Sequence, residues 1–187
     1  MKIRESGMPD QSVWESFFDP EKILKTLGLN NCIENVVEFG CGYGTFTIPA
    51  AKIINGKIYA LDMEPDMICI TNERARNNKL DNVVAISRDF IVNGSGLPSE
   101  SVDYAMLFNI LHSEHPESLL DEAKRVLKKN GLLGVTHWNS DPTTPRGPSL
   151  AIRPKPEQCM KWATGAGFRS PKQFDLKPYH YGLVLVK

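Results

Sequence analysis

The sequence predicts an α/β fold: a Rossmann-like, doubly wound sheet of seven strands, mostly parallel, ending in an antiparallel hairpin. Three observations lead there. An apolar run from Ile33 to Phe39 ends at three glycines in alternate positions, Gly40, Gly42 and Gly44, and a helical pattern follows from Thr45. Strand, glycine turn and helix in that order form the opening unit of a nucleotide-binding α/β sheet. Strand-like and helix-like stretches then alternate as far as Trp138, which predicts parallel strands joined by helical crossovers. Only Lys177-Pro178-Tyr179 separates the last two strand-like runs; that is too short for a crossover, so they must be antiparallel.

The elements follow in order. Residues 1–30 read as a helical cap segment ahead of a 31–187 ligand-binding domain, within a single domain overall. Ser12 and Glu15 fit a capping box, and Trp14, Phe17 and Phe18 share an apolar face. Asp19-Pro20 restarts the helix, Ile23, Leu24 and Leu27 face inward, and Gly28 stops it. Such a segment either covers the mouth of the sheet or packs on its edge, and Trp14 suits both. After the glycine turn, a helix from Thr45 to Ile54 leads through Asn55-Gly56 to a strand from Lys57 to Asp62. A helix from Pro65 to Asn77 precedes a third strand, Val83 to Ser87, and Ser101 to Phe108 is a fourth. The next helix starts at Pro116; Lys128 and Lys129 complement its C-terminal dipole and Asn130-Gly131 ends it. Leu132 to Trp138 is a fifth strand. Asn139 to Pro154 carries four prolines and no periodicity, and so long a loop in a compact domain is usually functional. A helix from Pro156 to Ala166 and strands Lys172 to Leu176 and His180 to Val186 complete the chain.

The bulk composition excludes several classes. The 22 acidic and 22 basic residues cancel, so no general field draws the chain to nucleic acid or to an anionic membrane. No apolar stretch is long enough for a membrane span, and Met1 to Glu5 does not open a signal peptide. Cys32, Cys41, Cys69 and Cys159 lack metal-type spacing, so no metal is expected. The expectation is a reduced cytoplasmic protein, monomer or homodimer.

The turn suggests its own ligand. Its spacing is Gly-x-Gly-x-Gly, not the Gly-x-Gly-x-x-Gly of dinucleotide folds, and Glu38 stands two residues ahead of it. A carboxylate there repels a pyrophosphate and attracts an ammonium. A ligand carrying both carboxylate and ammonium, such as the methionine part of S-adenosylmethionine, suits the turn better than NAD. Asp62 lies 22 positions after Gly40, where an acidic residue accepts from ribose hydroxyls; the alternative is an N-cap for the helix at Pro65. Met63 then flanks the adenine. Asp89 accepts from the adenine amine, with Phe90 beside it, or else caps a loop. Asn109, which ends the fourth strand, joins this cofactor set.

On the acceptor side, His112 and His137 stand at C-terminal strand ends, where open α/β sheets bind ligands. If the acceptor must lose a proton, either can take it, His137 ahead of His112; both are equally at home as structural histidines. Trp14 and Tyr181 offer aromatic contacts to an acceptor, or ordinary packing. Arg146 and Arg153 can hold an anionic acceptor or lie solvated.

Together these stretches resemble the class I S-adenosylmethionine-dependent methyltransferases of the small, ubiquinone/menaquinone-methyltransferase-like kind. The resemblance runs from Ile33 to the end, through VVEFGCGYGTFT, IYALDMEPDMI, SRDF, LPSESVDYAMLFNILH and EAKRVLKKNGLLGV. It implies strand order 3-2-1-4-5-7-6 and S-adenosylmethionine as cofactor, with S-adenosylhomocysteine as product. After the fourth strand the chain reads Phe108-Asn109-Ile110-Leu111-His112, not the Asn/Asp-Pro-Pro-Tyr of enzymes that methylate amino groups of adenine or glutamine. With no added recognition domain, the expected acceptor is a small molecule and no nucleic acid. The alternatives are a protein or RNA methyltransferase that needs a partner subunit, and a non-catalytic S-adenosylmethionine-binding regulator.

Overall fold

The computed structural model describes residues 8–187; the reading of Met1 to Glu5, and the first seven residues of the cap segment, lie outside them. Two short helices, α1 (Gln11–Glu15) and α2 (Pro20–Thr26), precede β1 (Val36–Phe39). Then come α3 (Thr47–Ile53), β2 (Ile58–Asp62), α4 (Pro65–Asn77), β3 (Val83–Ser87), α5 (Phe90–Asn93) and β4 (Val102–Phe108). The chain continues through α6 (Pro116–Val126), β5 (Leu127–Trp138), α7 (Pro156–Gly165), β6 (Arg169–Leu176) and β7 (His180–Val186). The seven strands form one sheet in the order β3-β2-β1-β4-β5-β7-β6. Strands β1 to β5 run parallel; β7 is antiparallel to both β5 and β6. This is the expected architecture and order.

Both faces of the central strands are buried, as a covered parallel sheet requires. Alternate residues therefore serve opposite layers. Val37, Phe39, Ala105, Leu107, Leu133 and Val135 pack with Leu119, Leu120 and Ala123 of α6 and Ala163 of α7. Val36, Ile58, Met106 and Phe108 pack on the other side, against Leu24 of α2 and Ala50 and Ala51 of α3. Tyr104 ties the N-terminal helices to that layer. Its ring crosses β5 at Gly134, where any β-carbon would collide with the phenol, and its hydroxyl donates to Leu27 O just after α2 (2.9 Å). Tyr104→Phe leaves that buried carbonyl without its donor and is expected to cost about 1–3 kcal/mol. A urea midpoint that falls at unchanged m-value checks this; an unmoved midpoint contradicts it.

Several boundaries differ from expectation. Helix α6 stops at Val126, because Leu127 already pairs with Val102 across the sheet. Lys128 is then a strand residue and donates to Asp103 (2.9 Å), instead of complementing a helix dipole. Helix α1 begins at Gln11, so Ser12 is inside it and not its cap. Glu15 is drawn to Arg74 of α4 (2.6 Å) and closes no capping box. Helix α3 starts at Thr47, two residues later than expected.

Candidate functional site

A cavity of about 660 Å³ opens where the C-terminal ends of β1, β2, β4 and β5 meet the N-terminal segment. That is within the range of small-molecule sites. Gly40, Gly42, Asp62, Met63, Phe90 and Ile110 line it. Met8, Trp14, Asn109, His112 and Trp138 line it too, with loop residues 145–148. The strand ends and the aperiodic loop thus converge where the sequence predicts.

The glycine turn is built from within. Gly40 N and Cys41 N donate to Leu61 O (2.8 and 2.9 Å), Gly42 N to Asp62 Oδ2 (2.8 Å) and Gly44 N to Cys41 O (2.9 Å). Its contribution to a ligand is therefore space more than donors. Gly42 has φ +52, and a β-carbon there would press on the Met8 side chain. Gly44 is not in the cavity wall; it lets Thr71 of α4 approach, and a β-carbon would sit 3.0 Å from Thr71 Oγ1.

Asp62, at the end of β2, holds Gly42 N with one oxygen and Glu64 N with the other (3.0 Å), while burial raises its pKa. It braces the turn as well as facing the cavity. Glu38 is fully buried behind the turn, outside the cavity wall, and accepts from Thr47 Oγ1. Burial pushes its carboxyl up to about 8, only partly offset by that hydrogen bond. Asp89 is the N-cap of the unanticipated helix α5: its Oδ1 accepts from Ile91 N and Val92 N, both at 3.1 Å. The loop-cap reading of Asp89 is the one with visible bonds, and its neighbour Phe90 supplies the cavity wall.

Asn109 has the most telling environment. Its backbone is left-handed (φ +57), uncommon for a residue with a side chain. Both its amide atoms are buried, and neither has a hydrogen-bond partner among the described residues. Such a group costs free energy that a ligand can recover. Asn109→Gly is expected to stabilise the unliganded protein by about 1 kcal/mol, since glycine takes this backbone without strain and no buried amide remains. It should also weaken ligand binding about tenfold, which thermal melts with and without ligand would show; equal ligand-induced shifts in both proteins would refute it.

The histidines are brought together but are not equivalent. His112 Nδ1 and His137 Nε2 lie 3.2 Å apart. His112 is in the cavity wall, whereas His137 is fully buried behind it. This reverses the expected precedence of His137. Burial, then the neighbouring His112, hold His137 well below the usual histidine range. Arg153, predicted to meet an anionic acceptor, is corrected by its hydrogen bonds. Its guanidinium is buried and donates to the carbonyls of Asn139, Arg146 and Pro148 and to Thr144 Oγ1. Those contacts occupy all five N–H groups. Arg146, on the same loop, is the exposed cation in the cavity wall. Tyr181 also turns inward: its hydroxyl donates to Pro154 O (2.9 Å) and lies 3.2 Å from Cys159 Sγ.

Trp14 does reach the cavity. It stands in an aromatic cluster with Phe18 and Trp138, ring centroids 4.9 and 6.4 Å away. Tyr43 of the glycine turn donates to Pro9 O (3.0 Å), so the N-terminal segment is fastened to the turn itself. Sequence reasoning missed Met8, Tyr43 and Ile110, for which no motif signals a role. Trp138 ends a strand, and the same rule that singled out His137 could have found it. Among the described residues no cluster could hold a metal ion, and no helix is long and apolar enough to cross a membrane.

Comparison with known proteins agrees with this geometry. A family model described as a methyltransferase domain matches residues 33–169. Ribosomal protein L11 methyltransferase of Bacillus cereus is 28% identical over 99 residues, 53% of this chain and 30% of that protein. The chain therefore spans about a third of the length of such curated relatives. A crystal structure of an S-adenosylmethionine-dependent methyltransferase from Aquifex aeolicus superposes with a TM-score of 0.83 at 27% identity, covering 95% of this chain and 93% of that one. Haemonchus contortus phosphoethanolamine N-methyltransferase 2, in complex with S-adenosyl-L-methionine, shares the fold (TM-score 0.75, 16% identity, 90% and 52% covered).

Proposed function

Since the chain belongs to the class I S-adenosylmethionine-dependent methyltransferases, we propose that it methylates a small molecule bound in the same cavity as the cofactor. One observation carries this reading. One cavity is lined both by Gly42, Asp62 and Asn109, whose amide has no partner among the described residues, and by Trp14, His112, Trp138 and Arg146. The N-terminal segment and the 145–148 loop both contribute to that lining, which favours a small acceptor over a macromolecule.

The residues present fit the cofactor. Asp62 would hold the ribose, Met63 and Phe90 the adenine, and Asn109 would find in the ligand the partners it lacks. Glu38 would act on the ammonium through the charge it gains when the bound ammonium drives off its proton. When bound, the cofactor supplies a methyl group already activated on a sulfonium, so alignment is much of the catalysis. The chain's part is to hold the acceptor in line, between the two tryptophans and the loop, and to exclude water. Arg146 offers a cation to an anionic acceptor.

Titration calorimetry with S-adenosylmethionine, S-adenosylhomocysteine and NADH tests the cofactor half. Binding of the two adenosyl ligands alone is expected; binding of NADH alone would overturn it. A methyl-transfer screen over small molecules, proteins and RNA tests the acceptor half. Transfer only to a protein or RNA, as the name of the Bacillus cereus relative suggests for that protein, would replace the small-molecule reading.

A further inference from the structure

We propose that the methyl acceptor carries an oxyanion, a carboxylate or phosphate group, and that Arg146 is the residue that selects for it. The inference rests on the small-molecule methyl-transfer reading above and names the chemical class of that acceptor. It starts from the charges in the cavity wall. Among the described residues that line the cavity, Arg146 is the single arginine or lysine. Its side chain is exposed, and among the described residues no carboxylate forms an ion pair with it. The wall also holds three carboxylates, Asp62, Glu64 and Asp66, which end β2 or closely follow it. Arg146 instead follows β5. Strands β1 and β4 stand between those two, so β2 and β5 are three strand spacings apart, about 14 Å. The acids and the cation are thus carried into the wall by different strands. The group that complements Arg146 is an anion that the ligand must bring.

The loop behind Arg146 sustains a positive field. Arg153 is buried, and its guanidinium bonds only to neutral oxygens: the carbonyls of Asn139, Arg146 and Pro148 and Thr144 Oγ1. Asp141, the acid of the same loop, is exposed, and its Oδ1 accepts from Thr143 N and Thr143 Oγ1. A cation held by neutral groups keeps its field. That field reaches the end of the cavity at β5 and β7: burial first, and the Arg153 charge among the lesser causes, lower the pKa values of His137 and His180. The bond from Arg153 to Arg146 O (3.2 Å) also fixes the backbone from which the exposed guanidinium springs. Gly147, next in the chain, has φ +115 and lies against Trp138; a β-carbon there would sit 2.8 Å from Trp138 Cγ. Arg146 is thereby rooted beside an indole wall that Trp14 extends, its ring centroid 6.4 Å from that of Trp138. A guanidinium takes a carboxylate or phosphate through two parallel hydrogen bonds, and the indoles suit an apolar body attached to it.

Titration calorimetry and the indole N–H signals of the NMR spectrum test this with benzoate, phenyl phosphate, benzyl alcohol and benzylamine as probes. Each is added to the protein alone and to the protein saturated with S-adenosylhomocysteine. Benzoate or phenyl phosphate should bind about tenfold or more tightly than the alcohol and the amine, and less tightly as salt is raised. The tighter of the two tells carboxylate from phosphate. Binding should move the Trp14 and Trp138 signals more than that of Trp162, which is not in the cavity wall. Arg146→Gln should lower oxyanion affinity about tenfold or more, with the affinities for benzyl alcohol and S-adenosylhomocysteine unchanged. Arg146→Lys should keep part of the affinity, since it keeps the charge and loses the fork. Arg146→Glu should reverse the preference, toward benzylamine. The exposed side chain makes these variants ones that fold, and equal melting temperatures check that. Oxyanions bound no more tightly than benzyl alcohol, or no probe bound at all, would overturn the inference. So would an Arg146→Gln protein that loses S-adenosylhomocysteine and keeps the oxyanion, because the cation would then serve the cofactor's carboxylate. Methyl transfer to uncharged small molecules alone would keep the proposed function and sink this inference. Failure of every adenosyl ligand to bind would count against the proposed function, and the titrations without cofactor would still decide the anion site.

Discussion

Arg153→Met is expected to lower kcat/KM for the acceptor by about 100-fold, while the Kd for S-adenosylhomocysteine changes little. The guanidinium touches no cavity residue with charge to spare; it holds the backbone of the loop that carries Arg146, Gly147 and Pro148 into the wall. Releasing that backbone moves the acceptor wall, and an ångström of misplacement costs about that factor. The carbonyls of Asn139 and Pro148 also lose charged donors, at about 1.5–3 kcal/mol for each hydrogen bond lost, so the variant should unfold at lower denaturant. Arg153→Lys should not rescue, because one ammonium cannot reach carbonyls on several sides as a planar fork does. Acceptor kinetics and cofactor titration on the same preparations decide it. Equal losses in both would show that Arg153 supports the whole site, not the acceptor loop.

Glu38→Gln should make the unliganded protein more stable in alkaline buffer and a poorer binder of cofactor. The folded pKa of Glu38, about 8, is raised above its ordinary 4.5, so the folded state holds a proton that the unfolded state has lost. Stability is thus fullest below about pH 4.5 and is lost as pH rises through about 8. At about 1.4 kcal/mol for each pH unit, roughly 3–4 kcal/mol disappears between pH 5 and pH 8. Buried Asp62, shifted in the same direction, adds to the slope. Glutamine keeps an acceptor for Thr47 and removes the titration, so its stability should be much flatter. Ammonium binding should also drive a proton off Glu38. Wild-type binding heats should then differ between phosphate and Tris buffers, and those of Glu38→Gln should not. Parallel stability curves for the two proteins would contradict the burial account.

Much of the fold was legible in the sequence because each strand carries its own signal. Val83–Ser87 and His180–Val186 are bounded as their apolar runs suggest, and Pro65 and Asn77 bracket α4. The α6–β5 junction was not legible. Lys128-Lys129-Asn130-Gly131 has the composition of a helix end, and contacts distant in sequence, Leu127 with Val102 and Lys128 with Asp103, make it a strand. In the site, the glycine turn, Asp62 and Asn109 announce themselves by position after a strand. Arg153 does not: a lone arginine after a proline-rich loop reads alike whether it faces solvent or four residues of its own loop. The order of His112 and His137 was also hidden, since both follow strands and only packing decides which one the cavity reaches.

The antiparallel last strand gives the molecule a polarity of attachment. Because β7 runs against β5, Val186 lies opposite Leu132, and Lys187 N reaches Gly131 O at the end of the strands remote from the cavity. Met8, by contrast, rests on Gly42 at the mouth. A fluorophore, affinity handle or surface tether joined after Lys187 would leave ligand traffic undisturbed. The same group attached at Met8 itself would stand in the cavity wall and throttle it.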